Sequence, residues 1–381
     1  MTIGLLLPLS NTHLGMSRDF VDGFNSLLKL KEHTTTIIIK KESVGLGGIE
    51  KEVYDKAEKL LVSDDVDILI AYIDEKVTAM IYTLVQASGK LLIVVNPGAN
   101  HPYNWIAQPS VIHLTLQHAF LCWLTGRLAG TNSADNKEAA YASSFYDCGY
   151  LHSADMVKNF TVSGGNVLYN YVNNQAYNEN FEISQLNDFL TATPDCKNIL
   201  AVYDEKPASL FYDRLNNYKS SFSSRLYVSP MMMTEKAFEL MGAGYHFSIE
   251  GHLPWQPALD TTENKNFVNT CSRPASIFSL LGWESALIID EIITNYSGDV
   301  QEGEAIVEHL KKSPMAGPRG QMKLDAETLY YTTGFGRFNM EAGTLYGAVE
   351  RITDFEEDWK TFSSLDTEGA VTGWTNTYLC Y

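Results

Sequence analysis

The sequence predicts an α/β protein made of two doubly wound lobes joined by a hinge. Its first third alternates short apolar runs with amphipathic stretches of helical spacing, and a second series of the same kind begins near Glu138. The 381 residues, 45% of them hydrophobic, exceed what one core holds, since single cores stop growing at about 250–300 residues.

Ile3 to Pro8 reads as a buried strand. Between Leu14 and Lys31, Phe20, Val21, Phe24, Leu27 and Leu28 recur at helical spacing. Thr34 to Lys40, which contains Ile37, Ile38 and Ile39, reads as the next strand. Gly48 to Val62 follows as a helix with Val53, Ala57, Leu60 and Leu61 on one face. Asp67 to Ile73 is a third strand, Val77 to Ser88 a third helix, and Leu91 to Val95 a fourth strand that stops at Asn96-Pro97-Gly98. Continuous apolar strands separated by helices predict a parallel sheet covered on both faces and wound by right-handed crossovers.

The second series places strands at Glu138 to Ser143, Asn166 to Val172, Asn198 to Tyr203 and Arg225 to Val228. Helices at Gly149 to Phe160, near Phe181 to Leu190 and at Pro207 to Tyr218 separate them. Beyond Val228 the alternation breaks. Gly251 to Pro257 reads as a Pro-rich connector. Ser276 to Tyr296 is a long helix with Leu280, Trp283, Leu287, Ile288 and Ile292 inward. The aromatic, alternating tail from Gly320 predicts antiparallel strands with a turn at Glu341-Ala342-Gly343.

Lys and Arg number 28 against 46 Asp and Glu, a net charge of −18. Such a surface repels phosphate backbones and anionic headgroups, which argues against nucleic acid or a bare membrane as partner. Cys122, Cys148, Cys196, Cys271 and Cys380 form no CxxC and no zinc spacing, and their odd number predicts free buried thiols. No apolar run reaches the length of a spanning helix, about 18 residues. The chain enters its first strand at once, without a basic region or cleavage site. Two expectations follow: a cytoplasmic protein, or a periplasmic or cell-envelope protein whose leader has been removed.

Ligands of open parallel sheets sit beyond the carboxyl ends of the strands. Those ends offer Ser10, His13 and Leu14; Tyr72 and Asp74; Asn96, Pro97, Gly98, Ala99 and Asn100; Tyr146; Tyr203 and Asp204; and Met231 with Met232. The Pro-Gly-Ala-Asn loop is either a plain tight turn or a set of exposed amides suited to a carboxylate. No P-loop, GxSxG, HxxxH or HExxH occurs, so no catalytic residue, metal or cofactor is expected. Aromatics make up 12% of the chain, and tyrosine, with a flat face and a polar tip, suits ligand clefts.

Several short motifs occur in a set order. Ile3-Gly4-Leu5-Leu6-Leu7-Pro8-Leu9-Ser10 leads into Gly15-x-x-x-x-Phe20-x-x-Gly23. Asn96-Pro97-Gly98-Ala99-Asn100 and Tyr146-Asp147-x-Gly149 come next. Phe278-x-x-x-Gly282-Trp283-x-x-Ala286 and Gly317-x-x-Gly320-x-Met322-x-Leu324-Asp325 complete the series. Together they resemble the branched-chain amino-acid binding protein family, the type I periplasmic binding proteins of ABC importers. Their co-linear order spans nearly the whole chain. The resemblance implies two Rossmann-like lobes, residues 1–117 with 256–328 and residues 118–255 with 329–381, joined by a three-segment hinge. It implies a ligand carboxylate on the loop matching Asn96 to Asn100, an aromatic matching Tyr146 across the cleft, and Phe278 among the lining residues. It also implies an acid in the second lobe for the ligand's α-amino group. The protein would be a monomer that binds a small molecule, hands it to an ABC-transporter permease and catalyses nothing.

The sequence departs from that family at the ligand. Met231, followed by Met232 and Met233, stands where the acid belongs. Asp74 and Glu75 replace the usual serines, and His13 or Leu14 stands at the first-loop aromatic. An unpaired ammonium in an apolar cleft is costly, so the expected ligand is less polar, or more aromatic, than a branched-chain amino acid. Two other readings remain open. One is a ligand sensor of the same fold, and the other is an α/β enzyme using His13, Asp74 and His252 as acid and base groups.

Overall fold

The computed structural model describes residues 1–46, 50–99, 101–102, 107–132, 137–144, 150–173, 180–217, 225–241, 244–344 and 347–365. The first lobe opens with β1 (Thr2–Leu7), α1 (Met16–Leu30), β2 (Ile38–Ser43), α2 (Glu50–Glu58) and β3 (Ile68–Tyr72). It continues with α3 (Glu75–Ser88), β4 (Leu91–Asn96) and β5 (Val111–Thr115). The strands form one parallel sheet in the order β2-β1-β3-β4-β5. Side chains alternate across a strand. Ile3, Leu5, Ile68, Ile70 and Ile93 therefore pack on the side of Phe20 and Phe24 from α1, while Leu6, Leu69, Ala71, Leu92 and Val94 face Val53 from α2 and Ile81 from α3. The strand expected from Thr34 begins only at Ile38, because His33 to Thr35 closes a 3-10 turn after α1.

The second lobe contains α4 (His118–Asn132), β6 (Glu138–Ser144), α5 (Tyr150–Val162), β7 (Asn166–Asn173) and α6 (Ser184–Ala192). It goes on through β8 (Asn198–Val202), α7 (Glu205–Asn217), β9 (Arg225–Val228) and β10 (Ser248–Leu253). The order β7-β6-β8-β9-β10 is parallel throughout and repeats the strand order of the first sheet. The expected connector is partly wrong here, since Gly251 to Leu253 lie inside β10. Gly251 breaks the apolar run because a Cβ there would press on the Val228 carbonyl. His252 breaks it again, and its Nδ1 lies 3.0 Å from Thr125 Oγ1.

The chain then returns to the first lobe with α8 (Thr262–Thr270), α9 (Ile277–Asn295) and α10 (Gly303–Leu310). A capping box between Ser276 and Ser279 starts α9 where the sequence predicts it. The strands β11 (Met315–Gly317), β12 (Gly320–Leu324) and β13 (Tyr331–Thr332) pair antiparallel. Finally β14 (Phe335–Met340) and β15 (Ala348–Ile352) extend the second sheet antiparallel beyond β10, and α11 (Glu356–Ser363) follows. The chain crosses between the lobes from β5 to α4, from β10 to α8 and from β13 to β14. At the third crossing the side chains alternate: Leu329 and Tyr331 enter the first core, whereas Tyr330 joins Phe120, Phe335 and Trp359.

Candidate ligand cleft

In each sheet the strand order reverses beside its first strand, between β1 and β3 and between β6 and β8. Such switch points open a crevice at the carboxyl ends of the strands. The two crevices meet. His13, in the loop after β1, lies against Asp204, in the loop after β8, with Nε2 2.9 Å from Oδ2 and 3.2 Å from Oδ1. Its Nδ1 is 3.7 Å from Glu205 Oε2, and Lys236 Nζ binds the same Glu205 oxygen at 3.2 Å. The Phe278 ring meets the imidazole edge-on, centroids 5.1 Å apart. His13 and Asp204 are buried, at 5% and 4% exposure.

Local structure holds both partners in place. Ser10 Oγ accepts the His13 amide at 3.0 Å, and the His13 carbonyl accepts the Met16 amide that starts α1. Asp204 Oδ1 accepts the Glu205 amide at 2.8 Å at the start of α7. Burial pulls the His13 pKa down, and Lys236 adds to that. The charge and hydrogen bond of Asp204, with the charge of Glu205, outweigh both and hold it above its ordinary 6.5.

The second contact lies at the Asn96 loop. Asn96 Nδ2 donates to the Ile73 carbonyl at 3.1 Å, and its Oδ1 accepts the Gly98 amide at 2.7 Å. Gly98 has φ +81°, and a Cβ there would run into the Gln117 backbone. The carbonyls of Pro97 and Gly98 accept the His118 and Ala119 amides, so the loop is tied to the start of α4. The His118 and His152 rings stand 6.0 Å apart, both wholly buried. Burial holds both well below the ordinary histidine value. His152 falls to about 4, although a hydrogen bond to the Gly98 backbone raises it, and the charges of His152 and Arg319 depress His118 further. Next to them His101 Nε2 meets Asp155 Oδ2 at 2.7 Å, and the His101 ring lies 4.4 Å from Phe362.

The structure thus brings together Ser10, His13 and Phe278 at one contact and Asn96, Pro97, Gly98 and Ala99 at another. Asp74 is half-buried at the start of α3, where its carbonyl accepts the Val77 amide. Met231 packs with Cys122 and Met156 and touches Ile277 from the other lobe. Leu14 points to solvent, 83% exposed. Tyr72 turns into the first core against Phe20, 5.7 Å between centroids, and its hydroxyl has no hydrogen-bond partner among the described residues. Tyr203 turns into the second core between Phe181 and Phe211. Asn100 and Tyr146 lie outside the described residues. Sequence reasoning placed Asp204 at a strand end but gave it no ligand role, and missed His101, His118, His152 and Asp155, which no local pattern marks. His252, considered as an acid or base, is bound to Thr125, and burial holds it at about 3.

Among the described residues no group of three or more His, Cys, Asp or Glu could hold a metal ion. Nor is any described helix long and apolar enough to cross a membrane.

Two sheets whose five parallel strands share one order, with facing switch points and three crossovers, form the architecture of a two-lobed solute-binding protein. The sequence model described as periplasmic binding protein matches residues 42–331, and the chain belongs to that family. The resemblance seen in the sequence is thereby borne out. In fold it is similar to an ABC transporter substrate-binding protein from Sphaerobacter thermophilus, with 18% identity over 93% of this chain and 98% of that one and a TM-score of 0.77. It is also similar to a solute binding protein of an ABC transporter from R. palustris in complex with benzoate, with 20% identity, coverage of 93% and 97%, and a TM-score of 0.68. A third is the substrate binding protein LivJ from Streptococcus pneumoniae in complex with isoleucine, with 13% identity, coverage of 92% and 99%, and a TM-score of 0.64. At these identities the likeness is one of fold. No curated protein sequence matches the chain.

Proposed function

We propose that the protein is the extracytoplasmic solute-binding component of an ABC importer, and that it closes on a small carboxylate with an apolar or aromatic body. The lobes would be residues 1–117 with 256–328 and 118–255 with 329–381, the third crossover running through the stretch around Tyr330. The observation that carries this reading is the meeting of the two switch points at His13 and Asp204. Ligand-type loops from both lobes converge there, as closure about a hinge requires.

Ser10, His13 and Phe278 would line the cleft with Asn96 to Asn100, Asp74, Tyr146 and Met231. The lining so assembled would offer aromatic and methionine side chains, which suits an apolar body. The benzoate held by the R. palustris neighbour is a ligand of this kind. A ligand stabilises the closed form only by its differential affinity for it, so no turnover is needed, and the cargo would pass to a membrane permease.

A thermal-shift screen tests this. Benzoate, 4-hydroxybenzoate and phenylacetate should raise Tm in proportion to RT ln(1 + [L]/Kd), about 2.7 kcal/mol at a hundredfold excess over Kd. A shift with sugars or nucleobases alone would contradict the proposed ligand class.

A further inference from the structure

Four carboxylates are buried among the described residues: Asp155, Asp204, Glu250 and Glu284. Each already has a cation or imidazole. Asp155 meets His101 at 2.7 Å, Glu284 meets Arg319 at 2.6 Å, and Glu250 meets Arg337 at 3.5 Å. Asp204, at the meeting of the crevices, has His13. The arrangement at Asp204 differs from the others in joining the two switch points, one in each lobe.

An ammonium drawn into the closed cleft would need an acid, because an uncompensated buried charge costs several kcal/mol. The acid corner is Asp204 with Glu205, and it is occupied on one side by His13 and on the other by Lys236. Among the described residues, Asp204 and Glu205 come to the imidazole from the start of α7, Lys236 from the segment between β9 and β10, and Phe278 from α9, while Ser10 Oγ holds the His13 amide.

Resting on the proposed function, we propose that the protonated His13 fills the acidic corner an amino-acid ligand's ammonium would need. The cleft therefore selects carboxylates that lack an α-amino group and latches shut through His13. His13 is a positioning residue in this scheme, because it joins the lobes whether or not a ligand is present. The latch is whole below about pH 6.5, the value of an unconstrained histidine, and is lost as pH rises through the higher value His13 has in the closed form.

The test has a ligand-free arm and a ligand arm. Small-angle scattering of the ligand-free protein should show the wild type opening as pH is raised from about 6 to about 9. His13→Gln and Asp204→Asn should scatter alike at both ends of that range. The asparagine keeps the Oδ1 that accepts the Glu205 amide, so α7 stays capped. A wild type that does not open, or variants that open with pH as it does, would overturn the latch. In the ligand arm, calorimetry compares matched pairs: 3-phenylpropanoate with phenylalanine, and 4-methylpentanoate with leucine. The wild type should favour the acid of each pair by about tenfold or more, and His13→Gln should narrow that ratio. Tighter binding of either amino acid by the wild type would overturn the proposal. If no member of either pair binds, the proposed ligand class fails, and the scattering arm still decides the latch.

Discussion

Gly23 of α1 and Gly282 of α9 let the two helices touch backbone to backbone. A Cβ on Gly23 would overlap the Ser279 carbonyl, and one on Gly282 would overlap that of Phe20. Gly23→Ala or Gly282→Ala must therefore push α1 and α9 apart and loosen the core around Phe20, Phe24 and Leu280. Each should cost about 1–3 kcal/mol in urea unfolding. The double variant should cost less than the sum, since one separation relieves both clashes. Unchanged midpoints would contradict this contact.

Glu284 and Arg319 form a forked, buried pair, with Arg319 Nη2 also donating to the Thr115 carbonyl at 3.1 Å beside the first crossover. Removing one partner leaves a bare charge. Glu284→Ala should cost about 3–5 kcal/mol, whereas a joint apolar replacement such as Glu284→Leu with Arg319→Met should cost less than that single change. A double-mutant cycle in denaturant gives both numbers.

Burial holds His113 and His252 at about 3 and His152 at about 4. All three fold uncharged and take up protons near pH 6.5 when unfolded. Their contribution is complete above that value and is lost as pH falls toward the folded values, by up to about 1.4 kcal/mol per pH unit for each. Stability should therefore fall between about pH 6.5 and about pH 5. His113→Phe, which keeps a ring on Tyr330, should shallow the slope by about one proton. A flat profile across that range would contradict the uncharged histidines.

Burial pushes the Cys122 thiol well above its ordinary value and those of Cys196 and Cys271 to about 11. A thiol that stays protonated and covered reacts slowly. Iodoacetamide at about pH 7.5 should leave the Cys122 and Cys196 peptides unmodified in the native protein and modify both in urea, as mass spectrometry would show. Equal native and denatured rates at Cys122 would contradict the burial.

Which parts were legible follows from this packing. Ile68 to Tyr72 and Leu91 to Asn96 are covered on both faces, so they read as unbroken apolar strands. The motifs ending in Gly23 and containing Gly282, far apart in sequence, are the two sides of one helix contact. By contrast, α4 is buried on nearly all sides and has no amphipathic period to find. His113 interrupts β5, and its ring stacks on Tyr330 at 4.3 Å. The loops of the site were legible because strands end there. Its closest pairing was not, because His13 and Asp204 are 191 positions apart and meet only when the lobes do.

Whether the cleft binds an apolar or aromatic carboxylate is decided by isothermal titration of the intact protein. Titration with benzoate and 4-hydroxybenzoate at several temperatures should give one-site binding with a negative heat-capacity change, the mark of apolar surface buried on closure. Absence of heat and of any Tm shift with both acids, alongside one-site binding of a sugar or a nucleobase, would contradict it.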